Sequence, residues 1–202
     1  MKHESGRRCI KRMRIKILDA PGALGTFTTR VGEHGARFGE ITTVSIGRNS
    51  KVRDVDLIAP DEAAFDRICD EVRKMHEVDL IGVTDVVRER HLGGKIATKA
   101  RVEVRSLDDL GIVYTPGVAS MCQQIAADPE LAWRYTAIRN TVAIVTNGTA
   151  VLGLGDIGAV AGMPVMEGKA VLFDLLAGVS GVPILIDSRD PQVIVDAVAA
   201  IA

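Results

Sequence analysis

Three glycines at dinucleotide-type spacing are the first residues in this sequence that could do chemistry. In Ala150–Val160, AVLGLGDIGAV, Gly153, Gly155 and Gly158 form G-x-G-x-x-G, Ala159 follows, and an apolar run leads in. Asp174 lies about 20 residues beyond, where an acid for a ribose hydroxyl is expected. The pattern works only where the glycines join a strand to an unbroken helix whose first amides hold the pyrophosphate. Here Gly162 and Pro164 interrupt Ala159–Met166, and a proline inside a helix costs about 3 kcal/mol. Lys169–Val179, rich in Ala, Leu and Phe, reads as a buried helix, which puts Asp174 on a helix and not at a strand end. The residues favour glycines that turn the backbone sharply beside a ligand pocket. A dinucleotide binder using Gly153–Gly158 is the alternative.

Other reactive side chains are sparse. Tyr114 stands just before Thr115-Pro116-Gly117, and Val118, Met121, Cys122 and Ile125 follow at helical spacing. Proline biases its predecessor away from helix and can itself open one, so Tyr114 is expected at the mouth of a helix. The histidines (His3, His34, His76, His91) are scattered, so no histidine metal site is expected. Cys9, Cys69 and Cys122 are isolated and odd in number, which fits a reducing compartment better than a disulfide framework.

Stepping along the chain, Met13–Leu18 alternates apolar and basic residues like a half-buried strand. In DAPGALG, Pro21 suits a first helical turn, Gly22 and Gly25 allow tight backbone, and Leu24, Phe27 and Val31 share a helix face. RFGEITTVSIG and KVRDVDLIA read as strands around the turn RNS. Asp61 can cap a helix with Phe65, Ile68, Cys69, Val72 and Met75 on its apolar face, and VDLIGVTDVV supplies a fourth strand. The order βαββαβ is that of a ferredoxin-like sandwich. Asn147-Gly148 between apolar runs signals a hairpin. VPILID reads as a strand, with Asp190 capping a helix that Pro191 opens.

The expected organisation is a basic leader over 1–12, a first domain over 13–87, a Gly-Gly-containing connector over 88–106 and a second domain over 107–202. With 202 residues, 47% of them hydrophobic, and a net charge of -1, the chain can build a sizeable core and carries no global field for nucleic acid or membrane. No apolar run reaches transmembrane length and no signal-type core follows the basic start, so a cytoplasmic protein is expected.

Residues Met13–Val87, through the element order and DAPGALGTFTTRVGEHG, resemble the ACT domain. That resemblance implies a small-metabolite effector near Asp19, Gly22, Ala23, Leu24 and Gly25, and pairing with a second copy. YTPGVA at Tyr114–Ala119, RNTVAIVTNGTAVLGLGDIGA at Arg139–Ala159 and PVMEGKAVLF at Pro164–Phe173 closely resemble bacterial malic enzymes of the NAD-dependent type. The implied fold class is α/β with an α+β first half: a βαββαβ ACT domain followed by the N-terminal part of a malic enzyme substrate domain. The implied reaction is oxidative decarboxylation of L-malate to pyruvate and CO2 with NAD or NADP and Mg2+ or Mn2+, in a homo-oligomer, a dimer or larger.

By this resemblance Tyr114 is the general acid and Lys169 the general base. The residue types suit the chemistry, because malate C2 can lose hydride only as its hydroxyl loses a proton, and the enolate left by decarboxylation must regain one at carbon. Gly153, Gly155, Asp156 and Gly158 are expected to shape the malate pocket. The family's metal ligands and nucleotide domain match no segment of this sequence. The chain is therefore expected to hold no metal and no NAD, and to be inactive alone as the N-terminal portion of a longer enzyme. The alternative to an enzyme is a non-catalytic metabolite-sensing and assembly module.

Overall fold

The computed structural model describes residues 9–201. The chain divides into two compact units between Leu92 and Gly93.

The first unit runs β1 (Cys9–Leu18), α1 (Ala23–Glu33), β2 (Arg37–Ile46), β3 (Ser50–Ala59), α2 (Glu62–Arg73), β4 (Val78–Asp85) and α3 (Val86–His91). Its sheet has the order β2-β3-β1-β4 and every pairing is antiparallel. Met13, Ile15 and Ile17 of β1 and Val55, Leu57 and Ala59 of β3 alternate inward, as a period of two requires. Phe27 and Val31 of α1 and Phe65, Ile68 and Val72 of α2 close over them. Burying each large side chain stabilises the fold by about 1.5–3 kcal/mol.

The polar positions of β1 are equally ordered. Arg12 lies opposite Asp56 and Arg14 opposite Asp54 in the β1–β3 register. Each guanidinium donates two hydrogen bonds to its carboxylate, at 2.7 and 3.0 Å for Arg12 and 2.7 Å twice for Arg14. Such part-exposed cross-strand pairs are individually weak but together pin the register. The Arg12–Asp56 pair also shows that residues ahead of Met13 belong to β1. Cys9–Arg12, read from sequence as the end of a basic leader, are strand residues, with Cys9 in the core and Arg12 paired across the sheet. The rest of that leader lies outside the described residues.

Two further boundaries differ from expectation. Pro21 precedes α1, because Gly22 takes a left-handed φ of 84° at the N-cap and the helix begins at Ala23. The Asp85 carboxylate accepts the Arg88 amide at 2.8 Å and starts α3 at Val86, so Val86 and Val87 leave the expected fourth strand and Arg88–His91 of the expected connector extend the first unit. The helix expected after Asp61 is α2, and Asp61 accepts the Ala64 amide at 2.7 Å.

The second unit continues with α4 (Leu107–Val113), α5 (Gly117–Ala127), α6 (Leu131–Tyr135), a 3-10 turn at Ala137–Asn140, β5 (Thr141–Thr146), α7 (Met163–Ala177), β6 (Ser180–Leu185) and α8 (Pro191–Ala199). β5 and β6 pair in parallel, Thr141 opposite Ser180 through Thr146 opposite Leu185. The Asn147-Gly148 hairpin expected from sequence does not form. A parallel partner needs a crossover, and α7 supplies it. Pro164 does not break that helix, because it sits in the first turn, where a missing N–H costs nothing. Nor is α7 a buried helix. Met166 and Ala170 are its buried side chains and pack with Ile144 of β5, whereas Leu172, Leu175 and Leu176 are exposed. Among the described residues no helix is long and apolar enough to cross a membrane.

Two outcomes are expected. Phe65→Ala removes a core ring and should cost about 3–5 kcal/mol, read as a matching loss of amide hydrogen-exchange protection along β1 and β3; protection unchanged within experimental error would contradict the assigned core. Arg14 holds the Asp54 carboxyl below its ordinary value of 3.8, its hydrogen bond outweighing the opposing effect of burial. A depressed folded-state pKa stabilises fully above the ordinary value and is lost as pH falls through the folded one. Asp54→Asn should therefore lower stability at neutral pH and flatten the acid limb of the stability curve, the two proteins converging at the lowest pH.

Candidate functional site

A site in the second unit forms where the carboxyl ends of β5 and β6 open into loops. In a parallel βαβ unit this end collects ligand-binding loops, because consecutive strands deliver their following segments to the same side. Asn147 ties the two loops together. Its amide donates to the Ser188 carbonyl at 3.0 Å, while its side-chain oxygen accepts from the Thr149 hydroxyl at 2.8 Å. The Ile157 amide donates to the Gly148 carbonyl at 3.0 Å and folds the glycine turn back onto the end of β5.

The glycines of G-x-G-x-x-G serve backbone geometry. Gly153, Gly155 and Gly158 have φ of 78°, 75° and 80°, a region costly for other residues. A Cβ at any of the three would meet nothing, so conformation and not close approach demands glycine there. Val151 and Gly155 exchange two backbone hydrogen bonds of 2.8 and 2.9 Å that close the turn. Gly148 differs: its φ is 72° and a Cβ would overlap the Gly158 backbone, so the loop can close only on a glycine.

Asp156 is held at both oxygens. One accepts the Gly158 amide at 3.3 Å and the other accepts from the Arg189 guanidinium at 2.7 Å, joining the turn to the segment after β6. Around these contacts lies a cavity of about 400 Å³ bordered by Asn147, Asp156, Gly158, Asp187, Ser188 and Arg189. Asp156 and Gly158 were expected from sequence. Asn147, Asp187, Ser188 and Arg189 were missed; their signal was the polar residues that directly follow β5 and β6, which become informative only once those strands are paired in parallel.

This geometry does not suit a dinucleotide. A crossover helix does exist, contrary to the expectation from Pro164. β5, however, ends at Thr146, well before Gly153, and α7 starts at Met163, well after Gly158. The turn therefore presents no helix N-terminus, and Asp174 lies inside α7. The described residues also contain no group of three His, Cys, Asp or Glu side chains that could hold a metal ion.

Tyr114 caps the end of α4, and its carbonyl accepts the Val118 amide at 2.7 Å in the first turn of α5. It is thus at a helix mouth, as expected, and 65% exposed. Lys169 is on α7, next to the helix midpoint, and is also exposed. Neither borders the loop cavity.

In the first unit, Asp19 pairs with Lys51 at 2.7 Å, Ala23 and Leu24 belong to the core, and Gly22 and Gly25 have open space at the Cβ position. A cavity of about 200 Å³ near the strand ends is bordered by residues such as Lys16, Asn49, His76 and Asp79, and by none of the five expected effector contacts.

Residues 93–198, a little over half of the chain, match the family "Malic enzyme, N-terminal domain". The chain is 47% identical to NAD-dependent malic enzyme 1 of Bacillus subtilis over 96% of its own length and 44% of that protein's. It is 46% identical to an NAD-dependent malic enzyme of Geobacillus stearothermophilus, over 85% of this chain and 36% of that one. The crystal structure of a malic enzyme from Pyrococcus horikoshii matches at 43% identity and a TM-score of 0.54, over 57% of this chain and 29% of that one. The chain therefore spans less than half the length of these relatives. Over its second unit, with a parallel strand–helix–strand crossover and a glycine turn at its carboxyl end, the chain belongs to the malic enzyme family.

Proposed function

We propose that this chain forms the regulatory portion and part of the catalytic portion of an enzyme that converts L-malate to pyruvate and CO2, with Tyr114 as general acid and Lys169 as general base. The observation that carries the proposal is the setting of the two side chains. Tyr114 projects from a break between helices and Lys169 from the crossover helix that follows the glycine turn, both exposed to an incoming substrate, in a chain of the malic enzyme family.

The net reaction oxidises malate C2, with NAD or NADP as acceptor, as the relatives are NAD- or NADP-dependent malic enzymes, and releases one carboxylate as CO2. The described residues do not fit a divalent metal or a dinucleotide, so the steps assigned here are proton transfers. Lys169 Nζ takes the proton of the C2 hydroxyl. After carbon dioxide leaves, the Tyr114 hydroxyl returns a proton to the neighbouring carbon of the three-carbon enolate. Both groups must reach one small acid, so they meet in a shared pocket, within one copy or between two copies of the chain. The loop cavity walled by Asp156 and the glycine turn forms part of its surroundings.

The first unit acts as an ACT-type domain that pairs with a second copy and binds a small metabolite beside Asp19–Gly25. Its βαββαβ order, its sheet with β2 and β4 as edge strands among the described residues, and the left-handed Gly22 at the first strand-to-helix turn support that assignment.

In the enzyme containing this chain, Lys169→Ala should lower kcat at least about 100-fold, with Tyr114→Phe lowering it by a similar order; turnover near normal for either variant would remove that residue from its role. A thermal-shift series over amino acids and central metabolites should find a ligand that raises the melting temperature, a ligand at 100 times its Kd stabilising by about 2.7 kcal/mol. A flat series, or a chain that light scattering shows to be monomeric at high concentration, would count against the regulatory assignment.

A further inference from the structure

At the amino ends of β5 and β6, the second unit has a larger cavity of about 550 Å³. Six residues of strand separate it from the loop cavity, about 20 Å at 3.3 Å per residue. Arg101, Arg134 and Arg139 border it together with Asn140, Thr141 and Ser180, and no carboxylate is among its lining residues. Among the described residues, none of the three guanidiniums has a hydrogen bond or a carboxylate partner. Arg134 lies over the Tyr135 ring at 5.3 Å, a contact that uses the face of the guanidinium and leaves its N–H edge available.

The neighbouring polar groups are committed elsewhere. The Thr141 hydroxyl donates to the Ala137 carbonyl at 2.7 Å, and the Asn140 amide donates to the Gly178 carbonyl at 2.8 Å. The donors left to the cavity are thus three guanidinium edges and the Ser180 hydroxyl. Three unneutralised cations around one concavity repel one another and focus a positive potential into it. A guanidinium edge matches two oxygens of an oxyanion, and a volume of about 550 Å³ has room for a small ligand.

We propose that this cavity binds a small, multiply charged, phosphate-bearing anion, with Arg101, Arg134 and Arg139 as its ligands. Three positive charges complement a diphosphate group. The site stands at the opposite end of the β5–β6 ladder from the glycine turn and is bordered by neither Tyr114 nor Lys169, so, resting on the function proposed above, its ligand acts as an effector and not as the substrate. The assignment is independent of malate turnover.

Calorimetric titration of the chain with inorganic pyrophosphate, at ionic strength held constant with sodium chloride, tests it. Saturable binding is expected. Arg101→Gln, Arg134→Gln and Arg139→Gln should each weaken it at least about tenfold, and Arg139→Lys, which keeps the charge and loses the fork, should weaken it less than Arg139→Gln. Arg90→Gln, on α3 of the first unit, should leave it unchanged. Arg101 lies in a segment without regular structure, so its variant reports binding even if a substitution beside β5 disturbs folding, which circular dichroism will reveal. No saturable binding, or binding by all three Gln variants as tight as that of the unaltered chain, overturns the site. Succinate binding with no response to pyrophosphate overturns the phosphate class.

Discussion

The second unit depends on how closely α7 can approach the strand that follows it. β5 and β6 are short, and their parallel pairing exists only because α7 crosses over them and packs Met166 and Ala170 against Ile144. Gly181 makes that approach possible. A Cβ there would stand 2.7 Å from Ile144 and 2.8–2.9 Å from Ala170, inside any real contact distance. With the helix seated, both carboxyl ends of the ladder face one side and both amino ends the other. The glycine turn and the segment after β6 are delivered to the first, and the arginine-lined cavity to the second.

For the proposed chemistry, the side chains divide into those that join the loops and the exposed Tyr114 and Lys169. Asn147, Asp156 and Arg189 spend their hydrogen bonds joining two loops, which makes them builders of the pocket and poor candidates for proton transfer. Tyr114 and Lys169 are exposed on helical elements. A lysine base needs a desolvated setting, and the residues around Lys169 in this unit do not bury it. The proposed chemistry therefore requires that substrate and further protein surface close over these side chains.

The first unit follows a different logic, in which one continuous core carries the fold. Its sheet presents aliphatic side chains inward at alternate positions of β1 and β3, and two helices cover them. On the polar side, Arg12–Asp56 and Arg14–Asp54 lock the register of the central pair. A slip of one residue would put Arg12 and Arg14 in the core and Met13 and Ile15 in water, so the pattern and the ion pairs exclude the same alternative. Burial also pushes the Cys9 thiol up to about 11, with the Glu62 charge adding to it, which makes that cysteine a core residue and not a nucleophile.

Local chemistry was enough to read much of this protein. The alternation along β1, the Asp61 and Asp190 caps, the helix face from Phe65 to Val72 and the left-handed need at Gly153, Gly155 and Gly158 are each decided within a few residues, by sterics and periodicity. The motifs around Tyr114 and Lys169 likewise stand in the sequence itself. Local rules fail where a long-range pairing decides between local options. Asn147-Gly148 is a hairpin signal until β5 finds a parallel partner 39 residues away, Thr141 with Ser180. Pro164 is a helix breaker until the helix begins one residue before it. Arg101, Arg134 and Arg139 are three separate surface charges until the ladder brings them to one cavity. Such groupings depend on which faces of distant segments can pack together, and spacing along the chain carries no information about that.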